Sequence, residues 1–196
     1  ASNDSRWMPV GRAPRTQTWA ELRVVRRAIT VTPPGESERA PYPHERLVDG
    51  EAITIGEGGL GWLRRDGGST LLIRGPAKLR LGADRIEMSE GRAFIDSPEA
   101  GTTEIDTPGG ALLLSQVRAS IDAKAGGATE AYVLAGEIRS GSSGRAIAGE
   151  TLRIEGGAKG SAPKTSTLPA LAWEDWTGGL ATTDRGAEPA PYGVGT

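Results

Sequence analysis

An all-β fold, an antiparallel β-sandwich, roll or solenoid, is what three features of this chain predict. Short segments alternate apolar and polar residues, as in Ala77-Lys78-Leu79-Arg80-Leu81, Arg85-Ile86-Glu87-Met88-Ser89, Val117-Arg118-Ala119-Ser120-Ile121 and Thr151-Leu152-Arg153-Ile154. A period of two places every second side chain on one face of a pleated strand, so each segment reads as half-buried strand. The pattern recurs at intervals of about ten residues, the spacing of strands in an antiparallel all-β domain. Glycine is abundant, 29 of 196 residues, and clusters between these segments at Gly58-Gly59, Gly67-Gly68, Gly109-Gly110 and Gly126-Gly127, where turns are expected.

Taken in order, residues 1–18 read as an irregular arm with Pro9, Pro14 and scattered arginines. Residues 19–32 hold one or two strands, favoured by the β-branched Val24, Val25, Ile29 and Val31. Pro33 to Pro43 is a turn or extended linker by composition. The body then supplies strands near 47–55, 60–65, 69–74, 77–82, 84–88, 91–96, 102–106, 111–115, 117–123, 129–134, 136–140, 145–148 and 151–154. After Gly156 the composition becomes linker-like again, and Trp173-Glu174-Asp175-Trp176 interrupts a tail rich in Gly, Ala, Pro and Thr. Three regions are therefore expected: an N-terminal arm with a Pro-rich linker (1–46), a β domain (47–155) and a C-terminal arm (156–196).

Hydrophobic residues make up 37% and aromatic residues 5%, so the core should be mostly Leu, Ile, Val and Ala. The formal net charge of −2 supplies no field to gather nucleic acid or an anionic membrane. Charge is uneven, however: residues 1–46 carry eight basic and five acidic groups, and residues 47–155 carry twelve and sixteen, so the basic head is expected either to dock on the acidic body or to stand as a solvated extension. Cysteine is absent, which excludes disulfides, thiolate zinc sites and cysteine nucleophiles. No stretch approaches the roughly 20 apolar residues of a membrane-spanning helix, and no signal peptide is seen.

Candidate chemistry is sparse. The single histidine, His44, sits in a proline-rich loop, where an ordinary surface residue is expected; a catalytic triad needs a histidine held on both ring nitrogens. Glu87 with Glu90, and Asp96 with Glu99, flank predicted turns and are expected to solvate them rather than act as an acid–base pair. Asp49-Gly50 and Asp66-Gly67 are hairpin or bulge signals, because neither belongs to a calcium-loop pattern with enough oxygen ligands. The glycine clusters precede strands, so they lack the helix N-terminus that makes a phosphate cradle. No catalytic, metal or cofactor-binding residue is expected. Four of the five tryptophans (Trp7, Trp19, Trp173, Trp176) lie outside the 47–155 body, and a large aromatic in a low-complexity arm usually has a groove to fill, in its own domain or in a partner. With Trp62 they form the candidate partner-docking set.

Six motifs in order carry a family resemblance: Gly50-Glu51-Ala52-Ile53; Asp66 to Ile73 followed by Gly75 to Leu81; Met88 to Ile95 around Gly91; Ile105 to Gly110 with its Thr-Pro-Gly-Gly; Val133 to Ile138 around Gly136; and Ile147 to Leu152 around Gly149. On these residues the body, about 47–155, resembles the FecR-like domain of bacterial envelope proteins. One step departs from the family pattern: Ser115 to Ile121 keeps the strand but lacks the usual glycine. The resemblance implies a solenoid-like or sandwich β domain, non-enzymatic, exported to the periplasm or envelope of a Gram-negative bacterium. Iron-uptake regulators of that family place an anti-sigma helix bundle and a membrane span before the domain; this chain has neither, and is more similar to FecR domains embedded in other surface proteins. The segment Trp173 to Asp184 is also similar to the lead-in of VIT-domain envelope proteins. The expected function is a protein-interaction or signalling module. Its partner would be an envelope protein or another domain of the same polypeptide, met at a sheet edge or face through main-chain groups. Glycan or peptidoglycan recognition through exposed Trp62, Trp173 or Trp176 is the alternative.

Overall fold

The computed structural model describes residues 18–26, 28–83, 85–98, 102–156, 162–169 and 172–182. Its strands are β1 (Thr18–Arg26), β2 (Ile29–Thr32), β3 (Glu45–Val48), β4 (Ala52–Ile55), β5 (Leu60–Arg64), β6 (Thr70–Leu81), β7 (Arg85–Asp96), β8 (Thr102–Thr107), β9 (Gly110–Ala123), β10 (Thr129–Ser140), β11 (Gly144–Ile147), β12 (Glu150–Ile154) and β13 (Lys164–Thr167). A 3-10 turn lies at Leu180–Thr182. The all-β expectation holds, and the sheet is not closed into a barrel.

Four strands set the architecture: β6, β7, β9 and β10, each 12 to 14 residues long. The alternation pattern divides each of them into two segments with a turn between. In the structure each is one continuous strand with a bend, and the two halves keep different company. The first half of β6 pairs with β5, and its second half with β4. The second half of β7 pairs with the second half of β9, whereas its start pairs with β8. β9 runs beside β8 first and β7 later, and β10 meets β12 with its first half and β11 with its second. The sheet thus folds over on itself. One layer runs β3-β1-β5-β6-β7-β9-β10-β12-β13, and the facing layer uses β2, β4, β8, β11 and the other halves of the four long strands. Pairing is antiparallel except for β7 with β8, which run parallel.

The bends lie at Gly75-Pro76, Gly91, Gln116 and Gly136, and register shifts accompany those in the β6–β7 and β9–β10 pairs. Gly91 and Gly136 show why glycine is needed. At Gly91 (φ +123°) a Cβ would lie 2.3 Å from the Ala77 Cβ, and at Gly136 (φ +81°) one would lie 2.4 Å from the Gln116 carbonyl oxygen. An extra residue in one strand of a pair bends it and slips the side-chain phase. That slip is what makes the sequence pattern read as a turn. Conversely, the predicted strand 47–55 is two strands, β3 and β4, separated by the Asp49-Gly50 turn.

Between the layers lies one apolar cluster. Leu63, Leu71, Ile95, Ile121 and Val133 enter it from one layer, and Ile53, Leu79, Met88, Leu112 and Ile138 from the other. Residues 19–32, expected to hold one or two strands, supply β1 and β2; β1 pairs with both β5 and β3, so it is part of the sheet. Among the described residues no helix is long and apolar enough to cross a membrane.

Candidate docking face

The outer face of the first layer carries a second, smaller apolar cluster. Trp62, Leu72, Phe94, Ser120, Tyr132 and Thr151 are successive cross-strand partners on β5, β6, β7, β9, β10 and β12, so they form a row across six strands. Trp62 and Phe94 are each only 1% exposed even though they point away from the inter-layer core. They are covered by the chain itself: residues 172–182 form a strap over the row. Leu60, Trp62, Leu72 and Phe94 make a second apolar cluster with Trp176, Leu180 and Ala181 of the strap.

Two indoles anchor the strap. Trp173 stacks on Tyr132 with ring centroids 5.3 Å apart and planes inclined by 24°. Trp176 is buried, and its Nε1–H donates to the Ser120 Oγ at 2.8 Å. An aromatic side chain buries roughly 150–250 Å², worth about 4–6 kcal/mol at ~25 cal/mol/Å² as an upper bound, against about 1 kcal/mol for one net hydrogen bond. Apolar burial therefore supplies the strap's affinity, and the Ser120 bond fixes its register. Within the strap, Asp175 Oδ1 accepts the Thr177 N–H at 2.9 Å, and Thr177 Oγ1 accepts the Ala181 N–H at 3.0 Å, which shapes the turn that returns Leu180 to the sheet.

Arg118 fastens the far end. Its Nη2 donates to the Leu180 carbonyl at 2.9 Å, its Nε lies 3.3 Å from Asp96 Oδ2, and its guanidinium carbon lies 5.9 Å from the centre of the Phe94 ring. The Arg118 and Asp96 side chains are 13% and 6% exposed. Beside Trp173 a cleft of about 130 Å³ remains between strap and sheet, lined in part by Arg92, Asp122, Glu130 and Glu174. A larger groove of about 720 Å³ follows the bend of β9 and β10 past Leu113, Gln116, Gly136 and Arg139.

Of the candidate docking tryptophans, Trp7 lies outside the described residues, as does the side chain of Trp19, whose backbone belongs to β1. Trp173 and Trp176 meet on the row. Trp62 is beneath them, so the expectation that it is exposed is corrected: two layers of apolar contact, sheet and strap, enclose it. Trp176 is likewise buried, at 9% exposure, leaving Trp173 as the part-exposed member. His44 is exposed, with Nδ1 3.0 Å from Glu21 Oε1. Glu87 and Glu90 lie within β7 rather than at a turn and pair with Arg85 at 3.3 Å and Lys78 at 2.9 Å. Asp96 is buried against Arg118 instead of solvating a turn, and Glu99 lies outside the described residues. Sequence reasoning missed the row itself. Its signal was present in the unbroken apolar stretches at Leu60 to Leu63, Leu71 to Ile73 and Ala93 to Ile95, because a strand buried on both faces loses its alternation.

Among the described residues no group of three or more His, Cys, Asp or Glu side chains is placed to hold a metal ion. What the face can do is grip a turn-forming segment by its aromatic anchors, one backbone carbonyl and one hydroxyl. Fold and face together define an all-β protein with a peptide-covered sheet surface. No family model matches the chain, and no curated protein does. Among solved structures it is similar in fold to a "putative anti-sigma factor" from Parabacteroides distasonis ATCC 8503, with a TM-score of 0.50 and 15% identity over 61% of this chain. A second crystal structure under the same description gives a TM-score of 0.49 at 15% identity, again over 61% of each chain. The match spans 61% of the length of that protein, and at such identity the likeness is one of fold.

Proposed function

We propose that this chain is a FecR-like, non-enzymatic protein-interaction module with a signalling role, exported to the periplasm or cell envelope of a Gram-negative bacterium. One observation carries the reading: a six-strand aromatic and apolar row on the outside of the sheet holds a peptide segment, residues 172–182, through Trp173, Trp176 and the Leu180 carbonyl. A surface built this way recognises polypeptide. The fold shared with a protein named as an anti-sigma factor supports the signalling part, as do the ordered FecR-like motifs in the sequence. Its partner is an envelope protein or another domain of the same polypeptide.

The test is mild crosslinking of the full-length protein in its native envelope, followed by mass spectrometry. A specific protein, or a further segment of its own polypeptide, is the expected product. Substituting the partner surface should then abolish recovery while circular dichroism stays unchanged. Recovery of peptidoglycan fragments alone would transfer the weight to glycan recognition. That second reading now rests on part-exposed Trp173 with Arg92 and Asp122, and Trp173 fluorescence that ignores cell-wall fragments at millimolar concentration would remove it.

A further inference from the structure

The cleft between strap and sheet is more than a packing gap, and its chemistry has a sign. One guanidinium already sits in it: Arg92 places Nη2 3.0 Å and Nε 3.2 Å from Asp122 Oδ2, with its guanidinium carbon 6.0 Å from the centre of the Trp176 ring. A cation held between a carboxylate and an indole face is favoured by both, and the ring contact gains as water is excluded. The cleft is lined by a second aromatic and acidic set as well. Trp173, stacked on Tyr132, presents aromatic surface, and Glu130 and Glu174 stand at the rim. For this second set the counter-charge is slight. Glu174 lies 4.0 Å from Arg92 and is 83% exposed, and Glu130 reaches Arg153 at 3.5 Å through a solvent-exposed pair that water screens. The volume of about 130 Å³ leaves room for a guanidinium or ammonium head and its last methylenes.

We propose that this cleft receives a basic side chain, arginine or lysine, of the partner protein. The proposal rests on the protein-interaction reading above and names the chemistry of the contact. The incoming cation would lie against the part-exposed Trp173 and take Glu130 and Glu174 as its carboxylates, as Arg92 takes Trp176 and Asp122.

The test uses the full chain and two probes, acetyl-arginine amide and its neutral isostere acetyl-citrulline amide, followed through tryptophan fluorescence and the indole N–H signals. Saturable binding of the arginine probe, at least about tenfold tighter than citrulline and weakened by salt, is the expected result. Glu130→Gln with Glu174→Gln should remove about that tenfold preference; both side chains are solvent-exposed, so folding is unaffected and circular dichroism can confirm it. Trp173→Ala should weaken both probes. Equal binding of the two probes, no saturable binding, or binding of a muropeptide with none of arginine would each overturn the proposal. The two readings fail separately. A partner recovered from the envelope that binds the double glutamine variant unchanged sinks the cleft and leaves the module. Arginine binding without any protein partner does the reverse.

Discussion

Arg118 serves three neighbours with one guanidinium: Asp96, the Phe94 ring and the Leu180 carbonyl. Removing one member of a buried pair leaves the other charge uncompensated, so Arg118→Ala is expected to cost about 3–5 kcal/mol in urea unfolding and to raise the exposure of Trp176 to quenchers. Trp176→Phe keeps most of the apolar contact and loses the bond to Ser120, so about 1 kcal/mol is expected by the same measurement. Neither role was legible from single residues. Asp96 stands near a turn signal, Ser97-Pro98, which in most proteins marks a solvated acid; it is buried instead against Arg118, its cross-strand partner on β9. His44 was legible, because a proline-rich loop offers a ring little structure, and it is exposed beside Glu21.

At the level of elements, the positions of β1 to β12 were readable and their continuity was not, while β13, in a stretch that reads as linker, was not expected. Alternation identified both halves of β6, β7, β9 and β10, but a bend that inserts a phase slip looks the same in sequence as a turn that ends a strand. The distinction lies in pairing: at these bends the chain passes from one layer to the other without reversing. Gly136→Ala tests this, since a left-handed backbone and a 2.4 Å approach to the Gln116 carbonyl leave no room for a methyl group. A loss of about 2–3 kcal/mol is expected, with weakened hydrogen-exchange protection in both halves of β10 rather than in one. The strap is the opposite case. Its tryptophans were conspicuous, but their destination depends on apolar runs in three distant strands meeting side by side, and non-local pairing is what a single sequence conveys least.

For the whole molecule, the class of fold followed from periodicity and glycine spacing, while the single parallel pair of β7 and β8 did not. Two carboxyls make opposing demands on stability. The Arg39 guanidinium hydrogen-bonded to Glu45 holds that carboxyl below the usual range, helped by the Tyr42 backbone N–H and opposed by burial. Its stabilisation is complete above the unfolded value of about 4.3 and is lost as pH falls through the lower folded value. Glu51 is pushed up by burial, against the hydrogen bond from the Val48 N–H at 2.8 Å. Its contribution is present below about 4.3 and lost as pH rises through the raised value. Thermal melts at pH 7 and pH 3 should therefore separate them. Glu45→Gln lowers Tm at pH 7 and much less at pH 3, whereas Glu51→Gln, which keeps an acceptor for Val48, raises Tm at pH 7 and changes it little at pH 3.

The strap and the long strands also differ in how they would bear a load. Tension on the chain beyond Thr182 acts on the strap in peeling geometry, so Leu180, Trp176 and Trp173 are released one after another. Behind the strap the same tension meets the edge strand β13 and then β12, whereas the two layers are joined by four strands whose covalent backbone belongs to both. The seam that yields first under pull is the one hiding Trp62 and Phe94, and it yields while the inner core stays shut. Mechanically the molecule is a stiff folded ribbon with a fuse along one side, and blowing the fuse bares the aromatic row.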